Sequence, residues 1–164
     1  MSGILSKVHL GVPVSKEDGS LVVYAIAHAD LSAYQPYEVV ASRNTDDNDQ
    51  DGSNDNDGSA ETQAPATLAV PHFVGAPQRD YDEGDVAELL IGGAGKCKVP
   101  AAVVANEDFL EVLNAGTTAV VDGTSGSTTH TVGSFARACE ANAGTAAAEI
   151  NVQFLGLPVQ VAAS

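Results

Sequence analysis

Apolar residues recur along the chain in short runs rich in Val, Ile, Leu and Ala, each closed by turn residues, and this rhythm belongs to β-strands rather than to helices. Residues 7–14 and 21–29 are two such runs. Between them lies Ser15-Lys-Glu-Asp-Gly-Ser20, whose Asp18-Gly19 pair marks a tight turn, so a hairpin is predicted. Residues 37–43 predict a further strand, and residues 67–74 another, interrupted at Pro71 because proline has no N–H to give to a ladder. From Asp85 the pattern is regular: residues 86–91, a turn at Gly92-Gly-Ala-Gly95, then residues 96–100, 109–113 and 117–121. Residues 106–113 fit a short helix capped by Asn106 or Asp108 as well as they fit a strand, since so few residues show no clear period. Residues 131–139 and 149–155 predict a closing pair of strands joined by the Ala/Gly-rich stretch 141–148. In the last of these, Ile150, Val152 and Phe154 alternate with Asn151, Gln153 and Leu155, so one face is expected to be buried. The fold expected is all-β, one domain over residues 1–164, a small barrel or sandwich of short antiparallel strands.

One stretch breaks the rhythm. Residues 44–63 hold almost no apolar side chain, and an exposed acidic loop is expected at residues 44–65. Its Asp46–Asp57 run supplies 6 of the 22 acidic residues, yet without them the net charge of −15 would still be −9, so the acidity is general. Thirteen Asp and 9 Glu against 4 Lys and 3 Arg is a balance suited to concentrated salt, and a halophilic or marine source is expected. The same charge repels phosphate backbones and anionic headgroups, and no cluster of Lys and Arg offsets it, so neither nucleic acid nor membrane is an expected partner. The first seven residues lack the basic and apolar regions of a signal peptide, and synthesis in a reducing cytoplasm is expected.

Candidate chemistry is sparse. Asp47-x-Asp49-x-Asp51-Gly52 matches the first half of a calcium loop, in which alternate carboxylates converge on a hard cation and the glycine allows the sharp turn. The twelfth position is Gly58 instead of a bidentate Glu, and no helix pattern flanks the loop, so an EF-hand is not expected. A calcium site on Asp47, Asp49 and Asp51 is the alternative to a solvated insertion. Gly92-Gly-Ala-Gly-Lys96 fails as a phosphate-binding loop, with Leu90 and Cys97 at the positions that need Gly and a hydroxyl. Gly123-Thr-Ser-Gly-Ser127 lacks the final Gly of a nucleophile elbow. His9, His28, His72 and His130 are scattered, without zinc-ligand spacing. Ser127 with His130, or Cys97, are the residues a hydrolase would have to use, but no constellation supports one and no enzyme is expected. Cys97 and Cys139 read as two buried small hydrophobes that could pair only if their strands were neighbours.

The stretch Glu83-Gly-Asp-Val-Ala-Glu-Leu-Leu-Ile91, continued by Gly95-Lys-Cys-Lys-Val-Pro-Ala101 and Asp108-Phe-Leu-Glu-Val-Leu113, resembles the capsid cement or head-decoration proteins of tailed phages or haloarchaeal tailed viruses. So does the ending, Thr131-Val-Gly-Ser-Phe-Ala-Arg-Ala-Cys-Glu-Ala141 followed by Ala148-Glu-Ile-Asn-Val-Gln-Phe-Leu155. The resemblance spans about residues 66–157 and lies in composition and order of segments; the N-terminal hairpin and the Asp/Asn loop depart from it. It implies a non-enzymatic virion protein without a cofactor, usually a homotrimer, on the outer surface of an icosahedral capsid, where it ties neighbouring major capsid protein subunits together. Short strands leave edges that can pair with a partner, and residues 2–14 and 157–161 are the expected extensions. A calcium-binding adhesion or ligand module is the alternative function.

Overall fold

The computed structural model describes residues 10–41, 60–64, 73–112, 118–121 and 134–157, and every regular element among them is a strand. The expected hairpin is present: β1 (Val14–Ser15) pairs antiparallel with β2 (Leu21–Ile26), and Lys16 and Ser20 close the turn through Lys16 N to Ser20 O at 2.9 Å. After β3 (Tyr37–Ala41), β4 (Ala60–Gln63) and β5 (Phe73–Pro77) comes β6 (Val86–Val99). Pairings β2–β4, β4–β3, β3–β5, β5–β6 and β6–β2 close these five strands into a barrel. One expectation changes here: β2 and β4 run parallel, meeting at Ile26 and Glu61, so the barrel is mixed.

The barrel interior follows from the two-residue strand period. Val23 and Ala25 of β2 stand opposite Leu89 and Ala87 of β6, and Val39 of β3 stands opposite Thr62 and Phe73. With Leu31, Tyr37, Ala60, Tyr81 and Ile91 these residues make one core. Small Ala at several inward positions suits the narrow bore of a barrel of five strands, in which Tyr37 and Tyr81 must also be packed.

The expected turn at Gly92–Gly95 is not a turn. β6 runs unbroken for 14 residues, bent at Gly93, which adopts φ +99°. A left-handed residue lets the strand change direction without losing its ladder, at a conformation that costs glycine little. The bend allows one strand to serve two sheets: residues 86–92 pair with β2, and residues 92–99 pair with β12 (Ala148–Leu155). Gly95 also permits a close approach, since a Cβ there would collide with the Leu90 side chain.

The second sheet runs from β6 through β12 to β10 (Ala136–Ala138), β8 (Phe109–Glu111) and β9 (Val120–Val121). Residues 109–111 are thus strand, not helix; Glu107 at φ +74° and the Asp108 side chain, which accepts from Ala105 N at 2.7 Å, form the turn before it. The sheet curls back on β6, where Ala119 N donates to Lys98 O at 2.8 Å. Its interior holds the expected Ile150, Val152 and Phe154 together with Cys97, Val99, Leu110, Phe135, Ala136 and Ala138. Val22, Val74, Ala76 and Leu90, from the other face of the barrel's strands, join this core. A small ladder, β7 (Val103–Val104) with β11 (Asn142–Ala143), lies within the connections.

The exposed loop expected at residues 44–65 needs correction at its end. Residues 60–63 are β4, and Ala60, Glu61 and Thr62 are buried. Four residues with alternating Ala and Thr carry no visible apolar period, and an acid read as solvent-facing hid the strand. Residues 42–59, and the part of the expected 67–74 strand before Phe73, lie outside the described residues.

Candidate functional surface

The residues singled out in the sequence are mostly beyond the described part of the chain. Asp47, Asp49 and Asp51, Ser127, His130, His9 and His72 all lie outside it. His28 is within it, and its Nδ1 sits 3.1 Å from Thr62 Oγ1, a contact across the parallel β2–β4 junction. Among the described residues no group of three or more His, Cys, Asp or Glu side chains converges as metal ligands would, and no helix is long and apolar enough to cross a membrane.

The two thiols do not form a pair. Cys97 is buried in the second core, where burial pushes its pKa up to about 12, while Cys139 is exposed rather than buried as expected. β12 lies between their strands, so they are not neighbours. Cys139 follows β10, where the outward parity of Arg137 continues and a cysteine faces solvent.

Three buried carboxylates were not anticipated: Glu38 on β3, Glu61 on β4 and Glu111 on β8. Register puts Glu38 opposite Val74 and Glu61 opposite Val40 and Ile26, on the face of the barrel away from its bore. No local pattern separates such acids from exposed ones.

Polar chemistry on the surface concentrates at two nodes. At the first, Lys16 Nζ lies 2.9 Å from Glu88 Oε1, and the Tyr24 hydroxyl donates to Glu88 Oε2 at 2.9 Å. The hydrogen bond to Glu88 raises the pKa of Lys16, and the same carboxylate raises that of Tyr24. Lys16 and Glu88 rim an open hollow of about 230 Å³ with Asp18 and Gln78. At the second node, Gln78 behaves as a short piece of strand. Its Oε1 accepts from Lys96 N at 2.9 Å, and its Nε2 donates to Lys96 O at 3.2 Å and to Ala76 O at 3.2 Å. Tyr34, at φ +65°, continues this edge by donating its N–H to Pro77 O and accepting from Lys98 N.

The outward face of the second sheet carries an ordered array of polar and charged side chains that register defines. Lys98 stands opposite Glu149, Lys96 opposite Asn151, Gln153 opposite Arg137, and Arg137 opposite Phe109. Phe109 is 50% exposed. A broad groove of about 420 Å³ borders this face beside Lys98, Thr118, Ala148 and Glu149. Such a surface offers flat contact, cations and one aromatic.

No protein-family model matches the chain, and no curated protein matches it. Among solved structures the chain is similar to the head fiber gp8.5 N base of bacteriophage phi29, at 13% identity over 85% of this chain and 97% of that one, with a TM-score of 0.47.

Proposed function

We propose that this chain is a non-enzymatic structural component of a tailed-virus head, seated on the outer surface of the icosahedral capsid, where it bridges neighbouring major capsid subunits. The observation that carries the reading is that four of the segments resembling head-decoration proteins, separated in sequence, meet in one unit. Residues 95–99 of β6, then β12, β10 and β8, pair in succession around one core, and the segment at residues 83–91 is joined to them through the unbroken strand β6. A resemblance of scattered segments would have less weight than one that maps to a unit with its own interior. The likeness to the phage head fiber base concerns the same class of particle, but at its TM-score it is not a support.

The architecture suits mechanical work. β1 ends the large sheet as a two-residue strand, with Val12 and Val14 exposed beside it, and Leu157 is exposed just after β12. These are places where a neighbouring strand could add by main-chain pairing. In this reading the chain acts as a homotrimer, and its general acidity keeps particles dispersed.

The test is co-sedimentation of the purified chain with mature capsids that lack it, at low and high salt and with and without calcium. Saturable binding at fixed stoichiometry to the major capsid protein, with capsids that withstand higher temperature, is the expected result. Absence of binding in every buffer would remove the capsid role.

A further inference from the structure

The described residues include five basic side chains, Lys16, Arg79, Lys96, Lys98 and Arg137. Three of them, Lys96, Lys98 and Arg137, project from one face of the β6–β12–β10–β8 sheet, as their register partners require. In a chain of net charge −15 that is a marked segregation. None of the three is in an ion pair among the described residues, although Lys98 stands opposite Glu149 and the Glu140 carboxylate accepts from Asn151 N and Nδ2 at 3.0 and 2.8 Å; Lys16, by contrast, is paired with Glu88. Lys96 and Arg137 are exposed, and so are Asn151 and Gln153 between them. The face also holds Phe109 directly across from Arg137.

Resting on the capsid reading above, we infer that this face is the docking surface, and that its occupant is an acidic patch on the outer surface of the capsid with a recess for Phe109. Charge complementarity selects the occupant. With Glu149 and Glu140 counted, the face carries three cations against two carboxylates, a formal +1, whereas the rest of the chain of net charge −15 carries −16 and would be repelled by such a patch, so encounter is steered to this side. Arg and aromatic residues are the side chains that most often dominate an interface, because each desolvates well and fills a pocket. Here the two are adjacent on neighbouring strands of a rigid sheet, so little ordering accompanies binding.

The molecule supplies its own footprint probe. Cys139 is exposed two residues beyond Arg137, and its N–H donates to Asn151 O at 2.9 Å, which fixes it to the same sheet. Capsids lacking the chain would be saturated with it and treated with a maleimide, and affinities compared for wild type, Arg137→Glu, Lys96→Glu and Phe109→Ser. Arg79→Glu is the control, since it makes the same charge change at an exposed position outside the face. Expected are a loss of affinity of at least tenfold for Arg137→Glu and Lys96→Glu, a smaller loss for Phe109→Ser, near wild-type binding for Arg79→Glu, and protection of Cys139 on the capsid. Wild-type binding by the face variants, with Cys139 still labelled, would overturn this assignment and leave the capsid reading intact. No binding by the wild type would overturn both. A change in the free chain's own mass on reversing Arg137 would give the face to a second copy and overturn it as well. Unchanged far-ultraviolet circular dichroism identifies the variants that remain folded, and Phe109→Ser, at an exposed site, gives a test independent of charge.

Discussion

Cys97 projects from β6 into the second core, and burial raises its pKa from 9.0 to about 12, because a thiolate there would lose its hydration without gaining a cation. The neutral form is favoured by folding, so its contribution to stability is complete below about pH 9 and is lost as pH rises towards about 12. Tyr24, raised chiefly by its hydrogen bond to Glu88, and Tyr37, raised by burial, act with the same sign above pH 10.0. Urea unfolding at pH 8 and pH 10.5 is expected to show a clear alkaline loss of stability in the wild type. In Cys97→Ala the loss is smaller, with about 1 kcal/mol removed at both pH values for the missing sulfur. Thiol counting checks the underlying geometry: one reactive thiol per native chain, Cys139, and two in denaturant. None of this was legible in the sequence, where Gly95-Lys-Cys-Lys98 and Arg137-Ala-Cys-Glu140 both set a cysteine beside charged residues and differ in whether its strand position has inward or outward parity.

Strands with a consistent alternation were readable, and those that owe their state to neighbours were not. β12 announced its buried face through Ile150, Val152 and Phe154, and Asp18-Gly19 announced the first turn. β4 did not, because Ala60 and Thr62 are buried by closing the barrel rather than by being hydrophobic. β6 was misread for the opposite reason: glycines that usually end a strand here bend one, and only the presence of two sheets on either side of Gly93 explains why. The candidate surface was hidden similarly, since Lys96, Lys98, Arg137 and Phe109 come together only through the order of four strands. The bend also leaves Lys96 without a strand on one side, and Gln78 fills that place. Gln78→Ala is therefore expected to cost about 1 kcal/mol. Hydrogen exchange at the Lys96 amide would be roughly fivefold faster or more, while amides in the β2–β6 ladder stay protected. Gly95→Val would collide with Leu90 and crowd Phe154, lowering stability by about 1–3 kcal/mol in urea unfolding.

At the scale of the molecule, two cores share one strand, and an excess of negative charge surrounds both. Self-repulsion weakens as salt shortens the screening length from about 10 Å at 0.1 M to about 3 Å at 1 M, so the melting temperature should rise over that range. The shared strand makes a stronger demand. Leu90 belongs to the second core although it lies on the barrel's stretch of β6, and Gly156, just beyond β12, donates to Ile91 O. Loss of either the barrel or the second sheet would thus strip the other of both a strand and packing partners, and unfolding is expected to be a single cooperative transition. Natural probes weight the two halves differently. Of the four tyrosines, Tyr37 and Tyr81 lie in the first core, whereas Cys97 reports on the second core, against which Tyr24 also packs. Tyrosine fluorescence and pulse labelling of Cys97 should give coincident urea midpoints in the wild type. Leu89→Ala in the first core and Ile150→Ala in the second should move both midpoints together, each by the roughly 2–5 kcal/mol of a buried aliphatic truncation. Separate midpoints, with each substitution moving only its own probe, would mean that β6 joins two independent folding units.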